Sequence, residues 1–414
     1  MNNYLAPEHI QHTLSNLRQL TFEVTDACNL KCKYCGYGEF YEDYDERENS
    51  NLPIEKAKLL IDYLAHFWQS EYNTAANRHV YISFYGGEPL LNMPFVKEII
   101  TYIEDMNIEN RHFSFSMTTN AILLDKFMDF IVEKDFNLLI SLDGNMENNA
   151  YRVDKSGNDV FDKIIKNVDL LQNKYPEYFL KKVNFNAVLH NKNSVEDIYR
   201  FFKEKYDKMP SIGELNNMGI RKDKEKEFIL TYKNQIESLY QSEHYDEIEK
   251  DMFIKSPSYQ SVCTFLHQYS DFVYKDYNEV LYGKSNTNTW ISGTCLPFGK
   301  KMFVSVNGKL LPCERIGHQF ALGQIADDKV ELDFECIAEK YNRYFSKIER
   351  QCENCYGKKS CIQCIFNLEK LEEMPVCQGF MNKRDFEDYV SANLAFLSAH
   401  PEDYYRIMEE VIVE

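Results

Sequence analysis

The chain has 414 residues, of which 44% are hydrophobic and 14% aromatic, so it is long enough for two folded domains and is not a disordered polypeptide. Its formal net charge of −18 argues against a nucleic-acid partner, because phosphate binding needs clustered lysine and arginine. The sequence has no secretory signal and no apolar run of the roughly 20 residues that a membrane span needs, so we expect a cytoplasmic protein with no membrane partner. Its 12 cysteines then indicate metal binding in a reducing compartment rather than a disulfide framework.

Apolar segments typical of strands alternate with amphipathic segments typical of helices from about residue 18 to 225. The predicted strands are Leu20–Val24, Val80–Tyr85, His112–Met117, Asn137–Leu142, Lys182–Leu189 and Ile212–Ile220. The predicted helices lie near 53–69, 94–106, 124–134, 159–174 and 194–207. Strands separated by helices of this length predict right-handed βαβ units and a parallel sheet, which is an α/β fold. In barrels built from such βαβ units, the catalytic residues lie at the C-terminal ends of the strands.

A cysteine array follows the first predicted strand. Cys28, Cys32 and Cys35 form the pattern C-x3-C-x2-C, and the aromatic residue Tyr34 directly precedes the last of them. Three thiolates on a short loop can hold three irons of a [4Fe–4S] cube and leave the fourth iron open to a small-molecule ligand, whereas most electron-transfer clusters have four cysteine ligands. The alternative is zinc, which usually takes four ligands, and the nearest further cysteine is Cys263. The loop taken alone is compatible with either metal.

The next two strand ends carry small or polar residues. Gly86, Gly87 and Glu88 follow the second strand, where two glycines let a backbone approach a ligand and Pro89 holds the carboxylate rigid. The third strand ends at Asn120. Taken alone, the first loop is typical of an ordinary turn and the second of a helix-capping turn.

The fourth and fifth strand ends complete the series. Ser141 ends the fourth strand and Arg152 follows it, and a hydroxyl and a guanidinium are good partners for a carboxylate or for ribose hydroxyls. Val188 and Leu189 end the fifth strand, and each by itself is typical of a core residue.

These five loops, in this order, resemble the radical S-adenosylmethionine enzymes, with Ala121 where the family has glycine after the asparagine. The resemblance implies a partial (β/α)6 TIM-like barrel in which the open iron binds S-adenosylmethionine and one electron cleaves it to a 5′-deoxyadenosyl radical. It also favours a cluster over zinc. The residues that it assigns to cofactor binding are Tyr34, Gly86, Gly87, Glu88, Asn120, Ser141, Arg152, Val188 and Leu189. Related maturases carry His-Asp shortly before the arginine, where this chain has Asn149-Ala150-Tyr151, so Arg152 departs from the pattern.

Seven of the eight cysteines between 295 and 377 form a second pattern. Their order, C-x12-G-x4-C, then C-x2-C-x5-C-x2-C, then a last cysteine, resembles the SPASM domain, which bears two auxiliary [4Fe–4S] clusters. One gap is x2 where x3 is usual, and a pair of zinc ribbons is the alternative for the C-x2-C pairs alone. The resemblance assigns the outer cluster to Cys352, Cys355, Cys361 and Cys377. It assigns the inner cluster to Cys295, Cys313 and Cys364, which leaves that cluster one thiolate short.

Two positions near the inner set differ from the sulfatase maturases that the chain resembles. Those enzymes place an additional cysteine where this chain has Lys301, so we expect the inner cluster to keep an open iron or to take Cys263 or Cys336. Glu314 stands where they use an aspartate as catalytic base, and we expect burial to raise its pKa into a useful range. An exposed loop glutamate is the alternative.

The resemblance implies a radical S-adenosylmethionine peptide maturase that forms a thioether or carbon–carbon crosslink in a ribosomally made precursor peptide. Its partners would be that precursor and a low-potential electron donor of the flavodoxin or ferredoxin type. Conversion of a sulfatase residue to formylglycine is the second candidate, against which Lys301 and Glu314 count. A catalytically silent scaffold that binds clusters or peptide is the third.

The same reasoning predicts five regions. They are a short N-terminal extension at 1–17, the radical core at 18–225, a helical bridging region at 226–290, the SPASM domain at 291–382 and C-terminal helices at 383–414. The extension is too short for a winged-helix leader-binding domain. We therefore expect the precursor to be captured by the 222–290 region, by the C-terminal helices or by a separate protein.

Overall fold

The computed structural model describes residues 4–74, 79–109, 111–270, 273–274, 280–281 and 291–411. The chain forms two compact units. The sheet unit comprises Glu8–Ile248 and Leu296–Phe334. The helical unit comprises Met1–Pro7, Glu249–Cys295 and Glu335–Glu414.

A ten-stranded sheet is the framework of the sheet unit. Its strands are β1 Gln19–Thr25, β2 His79–Gly86, β3 His112–Thr119, β4 Asn137–Ser141, β5 Val183–Val188, β6 Ser211–Gly213, β7 Met302–Val304, β8 Lys309–Leu311, β9 Gly323–Ile325 and β10 Val330–Glu331. Strands β1 to β6 are parallel neighbours in chain order. On the other side of β1 lies β7, also parallel, and β8, β9 and β10 continue the sheet in antiparallel order.

Helices connect the parallel strands and build most of the helical unit. They are α1 Pro7–Ser15, α2 Ile54–Trp68, α3 Met93–Asp105, α4 Leu124–Glu133, α5 Phe161–Lys174, α6 Pro176–Lys182, α7 Val195–Tyr206, α8 Glu225–Thr231, α9 Gln235–Tyr240, α10 Tyr245–Met252, α11 Pro257–Tyr269, α12 Phe334–Glu353, α13 Lys383–Ala399 and α14 Pro401–Glu410. Helix α2 shows why they form: Ala57, Leu60, Ile61 and Leu64 recur at helical spacing and are all buried.

The predicted parallel α/β fold is confirmed, and the first five predicted strands agree with β1 to β5 to within two residues at either end. The sixth prediction was too long, because β6 ends at Gly213 rather than at 220. Helices α1, α6 and α12 and strands β7 to β10 were not predicted. Because β7 pairs with β1, residues 296–334 belong to the sheet unit, whereas the sequence suggested one cysteine-rich domain over 291–382.

The helical unit has its own apolar core. Phe253, Tyr259, Val262, Phe265 and Ile407 are among the buried side chains that pack together there. Part of the predicted bridging region, residues 271–272, 275–279 and 282–290, lies outside the described residues. Among the helices that the structure describes, none combines the length and the apolar character needed to cross a membrane.

Candidate active site

The first cysteine array lies on the loop that leaves the carboxyl end of β1. Its members are Cys28, Cys32 and Cys35. Two backbone hydrogen bonds hold this loop to the segment after β4: Lys31 N donates to Val153 O at 2.7 Å and Lys33 N donates to Tyr151 O at 3.2 Å. A parallel strand end thus presents all three thiols, as the sequence predicted.

The chemistry of these thiols fits an iron–sulfur cluster. Burial raises the pKa of Cys28, and it raises the pKa of Cys32 to about 12, with the charges of the neighbouring thiolates adding to the rise. Such thiols ionise readily only when a metal supplies positive charge. None of the 12 cysteines, all of which the structure describes, forms a disulfide bond. Three thiols from one loop match a cube in which one iron has no protein ligand.

The turn after β2 packs directly on the cysteine loop. A Cβ atom at residue 87 would lie 2.0 Å from Ala27 O, and one at residue 86 would lie 2.3 Å from Thr25 O. Gly86 also has a φ of +125°, which favours glycine. Gly87 N donates to Thr25 O at 2.8 Å, and Glu88 N donates to Ala27 O at 2.9 Å. The two glycines therefore let two backbones meet, and their predicted contact with the cofactor stays a prediction.

Glu88 joins the end of β2 to the end of β3. It is buried, and both carboxylate oxygens accept hydrogen bonds from the protein. Oε1 accepts from Leu90 N at 3.1 Å and from Thr119 Oγ1 at 2.6 Å, and Oε2 accepts from Asn120 N at 2.8 Å. Burial outweighs these bonds and raises the pKa of Glu88 to about 7. Its carboxylate therefore connects the loop after β2 to the end of β3, and its binding to the cofactor stays a prediction.

Asn120 connects the end of β3 to the first cysteine. Its Nδ2 donates to Asn29 Oδ1 at 2.7 Å and to Cys28 Sγ at 3.8 Å. The next residue, Ala121, has a φ of +62°, a left-handed conformation that costs a non-glycine residue about 1–2 kcal/mol. That conformation gives a physical reason for glycine at this position in the family that the sequence resembles.

Asp143, just after β4, is fully buried and accepts hydrogen bonds from three residues. Arg152 Nε and Nη2 donate to its two oxygens at 3.0 and 2.9 Å, Val188 N donates at 2.9 Å, and the Tyr34 hydroxyl donates through a short contact. Burial alone would raise the pKa of Asp143, but Arg152 and the hydrogen bonds hold it at about 2. Sequence analysis missed this residue. The available signal was an acidic residue at a strand end with an arginine soon after it.

This geometry differs from the role predicted for Arg152. Its guanidinium is engaged by Asp143 and lies 5.4 Å from the centroid of the Tyr34 ring. Only 7% of its side chain is exposed. Arg152 therefore acts as a positioning residue for Asp143 and Tyr34. Its contact with the cofactor, and that of the half-buried Ser141 at the end of β4, stay predictions.

Tyr34, Val188 and Leu189, which the sequence assigned to cofactor binding, have different surroundings. Tyr34 and the partly buried Val188 belong to one apolar cluster, and the Tyr34 ring stacks on His190 at 5.7 Å between centroids. Leu189 is fully buried, and its N–H donates to Gly213 O at 2.8 Å. Val188 therefore keeps accessible surface, whereas Leu189 is fully buried, and the contact of both residues with the cofactor stays a prediction.

A cavity of about 290 Å³ lies between the parallel strands of the sheet unit. Both polar and apolar residues of β1 to β5 line it. Gln19, Thr21, Ser83, Ser116, Asn137 and Asn184 are among the residues that line it. Gln19 Nε2 donates to Ser83 Oγ at 2.8 Å, so this wall is internally hydrogen-bonded.

Lys301 and Glu314 form an ion pair in the wall of this cavity. Lys301 Nζ lies 3.0 Å from each oxygen of Glu314, and Glu314 Oε2 lies 3.6 Å from Cys313 Sγ. Burial acts to raise the pKa of Glu314, but the Lys301 ammonium outweighs it and lowers the pKa. The prediction of a raised pKa was therefore wrong, because it took no account of Lys301 as the partner.

Four cysteines line one cavity of the helical unit. They are Cys352, Cys355, Cys361 and Cys377. Burial and the charges of the other three thiolates raise the pKa of Cys352 to about 12. Backbone N–H groups of Gly293 and Met381 donate to two of these sulfurs, at 3.3 and 3.4 Å. This set fits the outer auxiliary cluster with four protein ligands.

The thiols predicted for the inner cluster are divided between the units. Cys295 and Cys364 belong to the helical unit and Cys313 to the sheet unit, so this ligand set stays a prediction. Cys263 packs against the apolar core of the helical unit, and Cys336 is exposed on α12.

Comparison with known proteins bears on this site. Residues 22–204 match the family model of the Radical SAM superfamily. Over 397 residues the chain is 25% identical to the cysteine-type anaerobic sulfatase-maturating enzyme of Clostridium perfringens, covering 89% of this chain and 95% of that enzyme. It is 24% identical over 183 residues to the radical SAM cyclopropyl synthase TigE of Paramaledivibacter caminithermalis, covering 43% and 36%. The solved structure of native anSMEcpe with bound AdoMet matches with a TM-score of 0.59 at 18% identity, covering 95% of this chain and all of that one.

The chain thus contains a radical SAM domain with the corresponding α/β fold, and it is a radical SAM enzyme. Enzymes of this superfamily use a [4Fe–4S] cluster and S-adenosylmethionine, the cofactors predicted from the cysteine array. The similarity to sulfatase maturases extends over nearly the whole chain, and the cysteine-rich C-terminal part is consistent with a SPASM domain.

Proposed function

We propose that this enzyme modifies a ribosomally made precursor peptide and forms a thioether or carbon–carbon crosslink in it. Cys28, Cys32 and Cys35 would hold the catalytic cluster, and the loops tied together by Glu88 and Asp143 would shape the site for S-adenosylmethionine. When bound, these cofactors supply a radical that abstracts hydrogen from carbon. The substrate then loses one hydrogen atom, one proton and one electron and gains one new bond, and the electron is accepted by an auxiliary iron–sulfur cluster.

The observation that carries the crosslinking proposal is the Lys301–Glu314 pair. The sulfatase maturases that the sequence resembles have a cysteine and an aspartate base at these two positions. An ammonium at 3.0 Å lowers the pKa of Glu314, and a carboxylate with a low pKa is a weak general base. Crosslinking to a substrate thiol needs no strong protein base, because metal coordination itself deprotonates a thiol.

Sulfatase maturation is the second candidate. The similarity to the Clostridium perfringens enzyme over 95% of its length favours it. The cavity of about 290 Å³ is compatible with either peptide, so a direct comparison of substrates is needed.

The test uses the anaerobically reconstituted protein with dithionite and S-adenosylmethionine. One reaction receives a candidate precursor, chosen among short peptides encoded by neighbouring genes, and the other receives a sulfatase peptide with its target cysteine. Crosslinking predicts that the precursor loses two hydrogen atoms in the mass spectrum and does not react with a hydrazide. A hydrazide-reactive aldehyde on the sulfatase peptide, with the precursor unchanged, would show sulfatase maturation instead.

A further inference from the structure

Arg47 lies beside the last cysteine of the first array. Its Nη2 donates a hydrogen bond to Cys35 Sγ at 3.5 Å. Its Nε–H is buried and has no hydrogen-bond partner among the residues that the structure describes. The guanidinium also lies 4.2 Å from the centroid of the Tyr37 ring. Its described hydrogen-bond and ring partners are thus a sulfur and an aromatic ring. Its charge also acts on the buried carboxylate of Glu23, where burial raises the pKa to about 7 and Arg47 opposes that rise.

An aromatic platform fixes the guanidinium from one side. The Tyr37 hydroxyl donates to Glu23 Oε1 through a short contact, and Val306 N donates to Glu23 Oε2 at 2.9 Å. Glu23 is a buried residue of β1. Because Tyr37 is tied to a central strand, the ring under Arg47 cannot turn away without breaking a buried hydrogen bond.

The backbone next to Arg47 is fixed to the same strand end. Glu48 N donates to Asp26 Oδ2 at 2.9 Å, and Asp26 N donates to Ser50 O at 3.2 Å. Thr25 Oγ1 also donates to Ser50 O, at 2.7 Å. Both the side chain and the main chain of Arg47 are therefore held against the loop that carries the cysteines.

We propose that Arg47 sets the reduction potential of the catalytic cluster, and this rests on the proposed assignment of that cluster to Cys28, Cys32 and Cys35. A cluster becomes more negative on reduction, so a nearby cation and an N–H donor to a ligand sulfur stabilise its reduced state. The Nε–H of Arg47, which has no hydrogen-bond partner among the described residues, is a second donor beside Cys35 and could donate to one more sulfur of the cluster. Arg47 thereby makes the electron transfer that starts catalysis easier.

The test compares Arg47→Gln, which removes the charge, with Arg47→Lys, which keeps the charge and loses the planar guanidinium. Arg200→Gln is the control, because Arg200 is exposed and pairs with Glu196 on the same helix. The readout is the midpoint potential of the catalytic cluster in the reconstituted enzyme, measured by redox titration followed by electron paramagnetic resonance. The signal of this cluster is identified by its absence from the triple Cys28→Ala, Cys32→Ala, Cys35→Ala variant.

We expect the potential of Arg47→Gln to be lower than that of the wild type, Arg47→Lys to lie between them and Arg200→Gln to match the wild type. Formation of 5′-deoxyadenosine by Arg47→Gln should fall with dithionite and recover with a stronger reductant, which a purely structural defect would not allow. An unchanged potential in Arg47→Gln with the cluster intact overturns the proposal. Loss of the cluster from both Arg47 variants also overturns it, since Arg47 would then serve assembly. If the triple cysteine variant keeps the signal, the cluster assignment fails instead.

Discussion

Arg152 and Asp143 form a buried two-point ion pair at the carboxyl end of β4. Arg152 Nη2 donates to Asp143 Oδ1 at 2.9 Å, and Nε donates to Oδ2 at 3.0 Å. The same carboxylate accepts from Val188 N and the Tyr34 hydroxyl. One carboxylate therefore fixes the end of β5 and the aromatic residue of the cysteine loop together.

Replacing Arg152 with methionine should destabilise the fold by about 3–5 kcal/mol, because it leaves the Asp143 charge buried and unpaired. The double variant Asp143→Asn, Arg152→Met should recover part of that loss, as measured by the midpoint of anaerobic denaturation. Because the pKa of Asp143 lies near 2, below its ordinary value, the pair stabilises the fold fully above that ordinary value and loses its effect only as pH falls toward 2. An equal defect at about pH 6 and about pH 8 is therefore expected. Additive losses in the double variant would contradict the coupling.

Glu88 should make the fold less stable as pH rises, whereas the contribution of Asp143 is lost as pH falls. Burial raises its pKa from 4.5 to about 7, so its contribution is fully present below pH 4.5 and is lost as pH rises through about 7. The difference corresponds to about 3 kcal/mol. Glu88→Gln should flatten the fall in denaturation midpoint across this range. The control is Glu98→Gln, whose exposed carboxylate pairs with Lys58. A slope that stays as steep in Glu88→Gln would exclude Glu88 as its source.

The first cysteine array is expected to carry the catalytic cluster. The triple variant Cys28→Ala, Cys32→Ala, Cys35→Ala should form no 5′-deoxyadenosine and should retain the iron of the auxiliary sites. Cys263→Ala is the control, because that thiol packs in the apolar core of the helical unit. S-adenosylmethionine cleavage at the wild-type rate in the triple variant would disprove the assignment.

The four-cysteine cavity of the helical unit is expected to hold one complete auxiliary cluster. The reconstituted protein should contain about twelve irons per chain, four for each of three clusters. Cys352→Ala with Cys355→Ala should remove about a third of that iron and leave 5′-deoxyadenosine formation in place. Iron near four per chain, unaffected by this double replacement, would refute a three-cluster protein.

The Lys301–Glu314 pair should matter for peptide turnover rather than for cofactor cleavage. Lys301→Met leaves a carboxylate unpaired in the cavity wall, and we expect peptide modification to fall by about tenfold or more, a barrier increase of about 1.4 kcal/mol. Cleavage of S-adenosylmethionine without peptide should persist. Lys58→Met is the matched control, since it breaks an exposed ion pair. Equal loss of both activities in Lys301→Met would argue that the pair supports the whole site.

The parallel strands could be predicted because their apolar residues, in runs or alternating with polar ones, lie between amphipathic helices. Strand β1 is almost entirely buried. Strands β7 to β10 could not be predicted, because two or three residues show no periodicity. Strand β7 is nevertheless important for the sheet, because it is the second neighbour of β1.

The cysteines were found from spacing alone, whereas the groups that support them were not. Asp143 and Arg47 act through partners that the fold brings to them. For Asp143 the sequence offered one signal, its place at a strand end shortly before an arginine, whereas Arg47 gave none. The interpretation of Gly87 also needed the structure, because only the position of Ala27 O shows which atoms approach it. The sequence predicted the ligands, and the fold showed which groups surround them.

The hydrogen bond from Val306 N to Glu23 has a consequence for the order of events during synthesis. Glu23 anchors Tyr37 under Arg47, so the surroundings of Cys35 are complete only when residue 306 has left the ribosome. Domains generally fold as units while the chain is being made. About two thirds of the chain, residues 36–306, is translated between the last cysteine of the array and the residue that completes this contact. The hydrogen-bonded surroundings of Cys35 can therefore be complete only late in translation.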